Sequence, residues 1–333
     1  MKRLLSTILL LLLATLLFST LTVHYLDVGQ GDSILIQTPY GETILIDAGD
    51  WNQGSVVSRY LRDRGIEVLD YLIATHPHAD HIGGLIEVIR TFEVEKVYMP
   101  RVAHTTATYR ELLLAIQAKG LGIHSAKNGV ILPVKGLEAY FISPSHDGYS
   151  GLNNHSAVLC LEYDGITLLF MGDAEEEVEH EILNNYPGLS VDILKAGHHG
   201  SRTSSGESFI SSISPKIAII MCGEGNRYGH PHQPTLDTLA RNGVQILRTD
   251  LNGTIVIQTD GETFSVSAEK RTQTPTVQPE PVTEAMEYIG NINTKVFHVP
   301  TCSFLPAKHN RIFFSSREEA VKAGYRPCGR CNP

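Results

Sequence analysis

The run Thr75-His76-Pro77-His78-Ala79-Asp80-His81 constrains this chain more than any other segment. It follows an apolar stretch that begins at Val68 and precedes Gly83-Gly84 and a helical pattern, which places it at the end of a buried strand. Rigid scaffolds present ligands from such positions. Two histidines at i and i+2 on extended backbone can converge on one cation, while Asp80 and His81, one turn on, point toward a neighbouring position. Four ligand-type residues within six positions fit a dinuclear metal site better than a histidine-rich loop.

The surrounding pattern alternates short strands and helices. Strands are expected at Thr22 to Val28 and Ser33 to Thr38, broken by the turn Gly29-Gln30-Gly31-Asp32, then at Thr43 to Ile46, Val68 to Thr75, Lys96 to Met99 and Leu137 to Ile142. Ala157 to Tyr163 and Thr167 to Met171 flank Asp164-Gly165, a hairpin signal. Val191 to Lys195, Ile217 to Met221, Gln245 to Leu247, Thr254 to Thr259 and Thr263 to Ser267 complete the strands. Helices are expected at Val56 to Arg64, Ile82 to Arg90, Tyr109 to Lys119 and Glu175 to Asn184. Hairpin-linked strands interleaved with helices predict an α/β layered sandwich with helices outside the sheets.

The 333 residues suggest about two domains. Lys2 and Arg3 precede an apolar run from Leu4 to Phe18, read as an export signal over residues 1–21. The run is short for a membrane span, which needs roughly 20 residues, so a short anchor is the alternative. Ser19 and Thr20 match a cleavage site poorly, and cleavage stays open. The expected location is extracellular or at the cell surface, with no stable membrane domain beyond this segment. Residues 22–267 form the main domain, 268–287 read as a Pro/Thr/Gln-rich linker, and 288–333 form a small second unit.

Charge divides the chain in the same way. The formal net charge is -9, yet residues 290–333 carry seven Lys and Arg against two Glu, a net +5. A basic tail of this kind suits contact with a polyanion, whereas the acidic body suits small or neutral substrates. Cys160 and Cys222 lie singly in apolar strands and read as buried thiols. His298 and Cys302, with Cys328 and Cys331, form an H-x3-C and a C-x2-C pair, the spacing of a structural zinc site. In an oxidising compartment a disulfide involving Cys328 with Cys331, or Cys302, is the alternative.

The pattern His76-x-His78-x-Asp80-His81 resembles the signature of the metallo-β-lactamase superfamily, which implies an αββα four-layer sandwich. The segments His24 to Ser33, Leu45 to Gly49, Asn153 to Leu159, Met171 to Ala174, Leu194 to Ser201 and Asn226 to Pro231 are similar to the extracellular hydrolase domain of the ComEC family of DNA-uptake proteins. That likeness spans roughly residues 22–267 and lacks the family's membrane channel, so the chain resembles a stand-alone, exported version of the hydrolase.

The resemblance implies that His76 and His78 hold one ion, that Asp80 and His81 hold the other, and that Asp173 bridges both. His198 or His199 supplies a late ligand; His198 is the first choice, with His199 behind it or facing substrate. Many superfamily members place a third-motif histidine on the first metal, where this chain has Asn153 and Ser156. His155 lies between them and is either a replacement ligand or a surface residue. Asp80 is expected to orient the attacking water and His230 to protonate the leaving group. Asn153, Ser156, Ser201, Asn226 and Tyr228 are expected to contact substrate.

Residues 288–333 resemble the metal-binding module of the Ada DNA-repair proteins. His298 stands where that module has its methyl-accepting cysteine, so structural zinc and DNA contact carry over and alkyl transfer does not. The expected cofactors are two divalent ions, Zn or Mn, in the hydrolase site and one structural Zn in the module. A hydroxide held between two cations suits phosphodiester hydrolysis, and a nuclease acting on DNA is the expected function. The alternatives are an exported hydrolase of a lactone, β-lactam or phosphocholine ester, or a non-catalytic DNA-binding protein. Protein partners are not legible.

Overall fold

The computed structural model describes residues 20–270, 288–300, 302–307, 310–314 and 316–331. All of the expected signal except Thr20 and Leu21, and most of the expected linker, lie outside these residues. Among the described residues no helix is long and apolar enough to cross a membrane. The chain divides into two compact units, Met1–Thr272 and Gln273–Pro333.

Strands of the first unit form two sheets. The larger runs from edge to edge through Phe264–Ala268, Ile255–Thr259, Leu21–Tyr25, Ile34–Gln37, Thr43–Ile46, Val68–Ile73, Glu93–Met99 and Ile123–Ser125. The second runs through Gln245–Arg248, Ile217–Ile220, Ile193–Lys195, Ile166–Phe170, Val158–Tyr163, Glu138–Ser143 and Ile131–Leu132. Central strands are apolar on both faces because both faces are covered. Ile44 and Ile46 thus join the layer between the sheets, with Phe141, Leu159, Phe170 and Ile219, while Leu45 faces outward.

Helices Gly54–Arg62, Leu85–Thr91 and Ala107–Ala118 cover the first sheet through Val57, Leu61, Ile86, Ile89, Leu112 and Ile116. Glu176–Asn185, Glu207–Ile213 and Gln233–Arg241 cover the second through Val178, Ile182, Phe209, Ile213 and Leu239. The architecture is the expected αββα four-layer sandwich. Cys160 and Cys222 are free and buried in the outer layer of the second sheet.

Each sheet mixes antiparallel and parallel pairing, and the parallel part positions the site. Thr43–Ile46 pairs in parallel with Val68–Ile73, which brings Asp47 and the His76–His81 segment to one end. Ile166–Phe170, Ile193–Lys195 and Ile217–Ile220 are also mutually parallel, which brings Asp173, His199 and Met221 to one end of the other sheet. Carboxyl ends of parallel strands are where open α/β sheets hold ligands.

One local departure from expectation has a steric cause. The helix expected at Ile82 to Arg90 is split into Ala79–Ile82 and Leu85–Thr91. A Cβ at Gly83 would lie 2.3 Å from the Trp51 nitrogen, and one at Gly84 would lie 2.1 Å from the Ala48 carbonyl oxygen, so the glycines let the Ala48–Trp51 backbone pass against the helix. Helices Glu207–Ile213 and Gln233–Arg241 and the edge strands Ile123–Ser125 and Ile131–Leu132 were not expected from the pattern. Ile123 and Ile131 are exposed, so these edges carry almost no burial signal.

In the second unit, strands Tyr288–Asn291, Val296–His298, Arg311–Phe314 and Arg326–Pro327 make one small sheet beside helix Arg317–Lys322. Its buried core comprises Tyr288, Phe297, Phe314, Ala320 and Tyr325.

Candidate metal centre

The segment after strand Val68–Ile73 changes backbone type at His78. His78 is extended (φ -74°, ψ 147°) and precedes the short helix Ala79–Ile82, so His76 and His78 project from extended chain and Asp80 and His81 from the first turn. His76 Nε2 and His78 Nδ1 lie 3.0 Å apart, and His76 Nε2 is 3.7 Å from Asp173 Oδ2. The other Asp173 oxygen, Oδ1, lies 3.3 Å from both His81 Nε2 and His199 Nε2. Asp80 Oδ2 is 3.5 Å from the same His199 nitrogen. One buried carboxylate therefore faces two clusters of donors. Asp173 Oδ1 is buried without a hydrogen-bond partner, as expected of an atom meant for a cation. His76, His78 and Asp173 fit one ion; His81, His199 and Asp173 fit a second, with Asp80 beside His199.

The outward ring nitrogens are fixed by groups that received no role from sequence. Asp47 Oδ2 accepts from His81 Nδ1 at 2.8 Å and from the Thr75 hydroxyl at 2.6 Å, leaving His81 Nε2 toward the cavity. His199 Nδ1 donates to the Met221 carbonyl at 2.9 Å and lies 3.3 Å from Asp32 Oδ1. Asp32 is within ligand distance of this cluster. Its carboxylate, however, lies on the Nδ1 side of both rings and pairs with fully buried Lys195, which makes it a support rather than a fourth ligand. Lys195 Nζ also donates to the Gly172 carbonyl at 2.8 Å, immediately before Asp173. A lysine inside an apolar strand was the available signal for this network, because a buried ammonium requires a partner.

Several sequence expectations are corrected. His198 and His199 both adopt left-handed backbone (φ 46° and 53°), which sends consecutive side chains apart. Such geometry costs roughly 1 kcal/mol or more per residue. His199 is buried among the ligands, while half-buried His198 places Nδ1 3.1 Å from Glu175 Oε1 and Nε2 3.9 Å from Asp173 Oδ2. The expected order of the two is therefore reversed.

His155 does not join the cluster: its ring packs edge-on against Tyr149 and Nε2 faces the Tyr149 carbonyl at 3.3 Å. Ser156 is buried and accepts from the Asp173 N–H at 3.0 Å, so it positions a ligand instead of touching substrate. Gly172, at φ 54°, leaves no room for a Cβ between Ser156 and Thr75. Ser201 is buried and tied to Thr203 at 3.1 Å. Asn226 accepts from the His230 and Tyr228 N–H groups and donates to the Gly223 and His230 carbonyls, so it organises its loop. Asn153 donates to Glu175 at 3.1 Å beside His198. Tyr228 does line the cavity.

That cavity, about 320 Å³, is lined by Asp80, Asp173, His78, His198, His199 and His230, together with Asp50, Gln30, Arg227 and Tyr228. Burial depresses His76 well below the usual histidine range, and the neighbouring His81 adds to this. Burial also opposes charge on His81 and His199, but the carboxylates of Asp173 with Asp47 or Asp32 outweigh it and raise both rings well above that range. His230 is pushed down to about 4 by burial and by its neighbours His199, His198 and His232, which leaves it a neutral imidazole near pH 7. Of the arginines near the motifs, Arg248 is occupied by Asp250 at 2.6 Å, whereas Arg227 stands exposed against Tyr228.

Residues 26–224 match the family described as the metallo-beta-lactamase superfamily. The chain belongs to this superfamily. Within it, the chain is ComEC-like: it is 37% identical over 250 residues to ComE operon protein 3 of Bacillus subtilis, covering 70% of this chain and 32% of that protein. It is 32% identical over 258 residues to Recombination protein 2 of Haemophilus influenzae (74% and 31% covered). It is 30% identical over 233 residues to Competence protein ComA of Neisseria gonorrhoeae (69% and 31% covered). The matched region thus spans about a third of the length of these relatives. The chain is a metal-dependent hydrolase of its superfamily.

Residues 278–333 match the metal-binding domain of Ada. There, His298 Nδ1 lies 3.3 Å from Cys302 Sγ, and ligand atoms of His298, Cys302, Cys328 and Cys331 lie within 4.8 Å of one another. Strand Val296–His298 runs parallel to Arg326–Pro327, and the Cys328 N–H donates to the Phe297 carbonyl at 2.9 Å, which sets the two ligand pairs side by side. The cysteines are free, so the disulfide alternative is not formed.

Proposed function

We propose that this protein is an exported, dinuclear-metal-dependent phosphodiesterase that cleaves DNA. The observation that carries the reading is the pairing of two ligand clusters across Asp173 with an exposed guanidinium, Arg227, on the wall of the same cavity. A phosphodiester needs both Lewis acids and a fixed positive group for its anionic oxygens. Relatives named for competence and recombination, and a basic module similar to the metal-binding domain of Ada, support DNA as the polyanion. The apolar run from Leu4 to Phe18 supports export.

Divalent cations, Zn or Mn, would supply polarisation of a phosphoryl oxygen and a water acidified toward neutral pH. The protein does the rest. Asp80, on the cavity wall with its carboxylate 3.5 Å from His199 Nε2, accepts a hydrogen bond from the attacking water. Arg227 orients the phosphate. Neutral His230 donates a hydrogen bond to the departing oxygen rather than storing a proton for it. In the module, one Zn would be held by His298, Cys302, Cys328 and Cys331, and its basic surface would hold the strand.

Purified protein supplied with Mn²⁺ or Zn²⁺ should cleave DNA and bis-p-nitrophenyl phosphate, and Asp173→Ala should remove both activities. Cleavage of a β-lactam, lactone or phosphocholine ester without cleavage of either phosphodiester would overturn the reading. Deleting residues 288–333 should weaken DNA binding and flatten its salt dependence.

A further inference from the structure

The chain has a single tryptophan, and it is not in the core. Trp51 is 54% exposed on the 3-10 turn Trp51–Gln53. Leaving so large an apolar ring in water forfeits burial that most tryptophans take. Its placement is nevertheless rigid. The Asp50 carboxylate accepts from the Trp51 N–H at 2.6 Å, and the Trp51 nitrogen lies where a Cβ of Gly83 would be, against the turn that follows Asp80 and His81. Asp50, the preceding residue, lines the metal cavity together with Arg227 and Tyr228. Tyr228 is itself 47% exposed, with the Arg227 guanidinium 4.8 Å from its ring centroid and donating to its hydroxyl at 2.6 Å. Tyr228 and the exposed Arg227 guanidinium thus line the cavity, and Trp51 directly follows Asp50 on its wall.

We propose that Trp51 and Tyr228 are stacking platforms for unpaired nucleobases on either side of the phosphate held by Arg227, so that the preferred substrate is single-stranded DNA. The assignment rests on the DNA phosphodiesterase reading and adds strand selectivity to it. Aromatic faces recognise unstacked bases of any sequence, and a guanidinium between them takes the backbone charge; a duplex offers no such faces except at its ends. The acidic composition of the chain outside its basic tail makes this local combination more selective than a general basic surface.

The single tryptophan gives a direct readout, because a stacked base quenches indole fluorescence. In full-length protein carrying Asp80→Asn, so that the strand survives, a 12-nucleotide oligothymidylate should quench Trp51 emission in a saturable way. An abasic deoxyribose-phosphate strand of equal charge should not, and a blunt duplex, which offers base faces only at its ends, should quench far less. Trp51→Ala should weaken oligothymidylate binding about ten-fold, the scale of one stacked base, and Trp51→Phe should restore most of it. Thermal unfolding of each variant checks that the turn is intact.

Saturating oligothymidylate binding with unchanged emission, or equal quenching by the abasic strand, would overturn the proposal while leaving the phosphodiesterase reading standing. Failure of the unsubstituted protein to hydrolyse bis-p-nitrophenyl phosphate would instead strike that underlying reading.

Discussion

The two metal-binding regions of this chain are built in opposite ways. In the first unit, ligands project from the ends of two large sheets whose cores close without them, and a layer of buried groups holds each ring: Asp47 behind His81, Asp32 and Lys195 behind His199. In the second, a buried core of Tyr288, Phe297, Phe314, Ala320 and Tyr325 adjoins a cluster of four ligands of similar extent. A unit of this size rarely folds on apolar burial alone. In one region the fold makes the site; in the other the site helps make the fold.

Metal removal should break this symmetry most strongly. Structural zinc sites in small domains contribute roughly 10–16 kcal/mol of apparent binding free energy, more than such a core supplies. Chelation, or Cys328→Ser, should therefore melt the second unit and leave the first folded, as read by limited proteolysis and circular dichroism. A protease-resistant second unit after complete metal loss would end the contrast.

A smaller effect tests the layer behind the ligands. Asp47→Ala and Lys195→Met should each lower metal affinity in the first unit by about 10–100-fold, by freeing His81 or His199 to rotate. Competition titration with a chromophoric chelator measures this, and the affinity of the Cys/His cluster should stay the same. Equal affinities in the variants would mean that the sheet ends alone hold the ligands.

The mildest effect concerns pH. Glu179 is almost fully buried and accepts from the Ser205 and Gly206 N–H groups, which fastens the loop after His199. Burial pushes its carboxyl up to about 7 from an ordinary 4.5. The folded state thus keeps a proton that the unfolded chain releases. The associated stability is fully present below about pH 4.5 and is lost as pH rises through about 7, by something on the order of 1–3 kcal/mol. Glu179→Gln, which imitates the protonated form, should flatten this part of the stability profile for the first unit, measured by denaturant unfolding between pH 5 and about 8.

Linear spacing made part of this design legible. His76, His78, Asp80 and His81 are contiguous at a strand end, and His298 with Cys302 and Cys328 with Cys331 have loop-sized separations, so their convergence follows from short-range geometry. Asp173 came from resemblance, at the end of its own strand. Alternating apolar runs indicated the four layers, although edge strands such as Ile131–Leu132 left little trace.

What lay beyond the sequence was the direction of side chains and the meeting of distant ones. Two left-handed residues turned His199 in among the ligands and His198 toward Glu175, a choice made by backbone torsion and not by residue type. Ser156 became a structural hydrogen-bonding group because the Asp173 N–H that it accepts from comes from another segment, whereas Ser201 and Asn226 are taken up by bonds within their own loops. Asp32 and Lys195 are separated by more than half of the first unit, yet the packing of two sheets makes them one ion pair. Composition and spacing selected the metal chemistry; only the closure of the sandwich decided which nitrogen faces each ion.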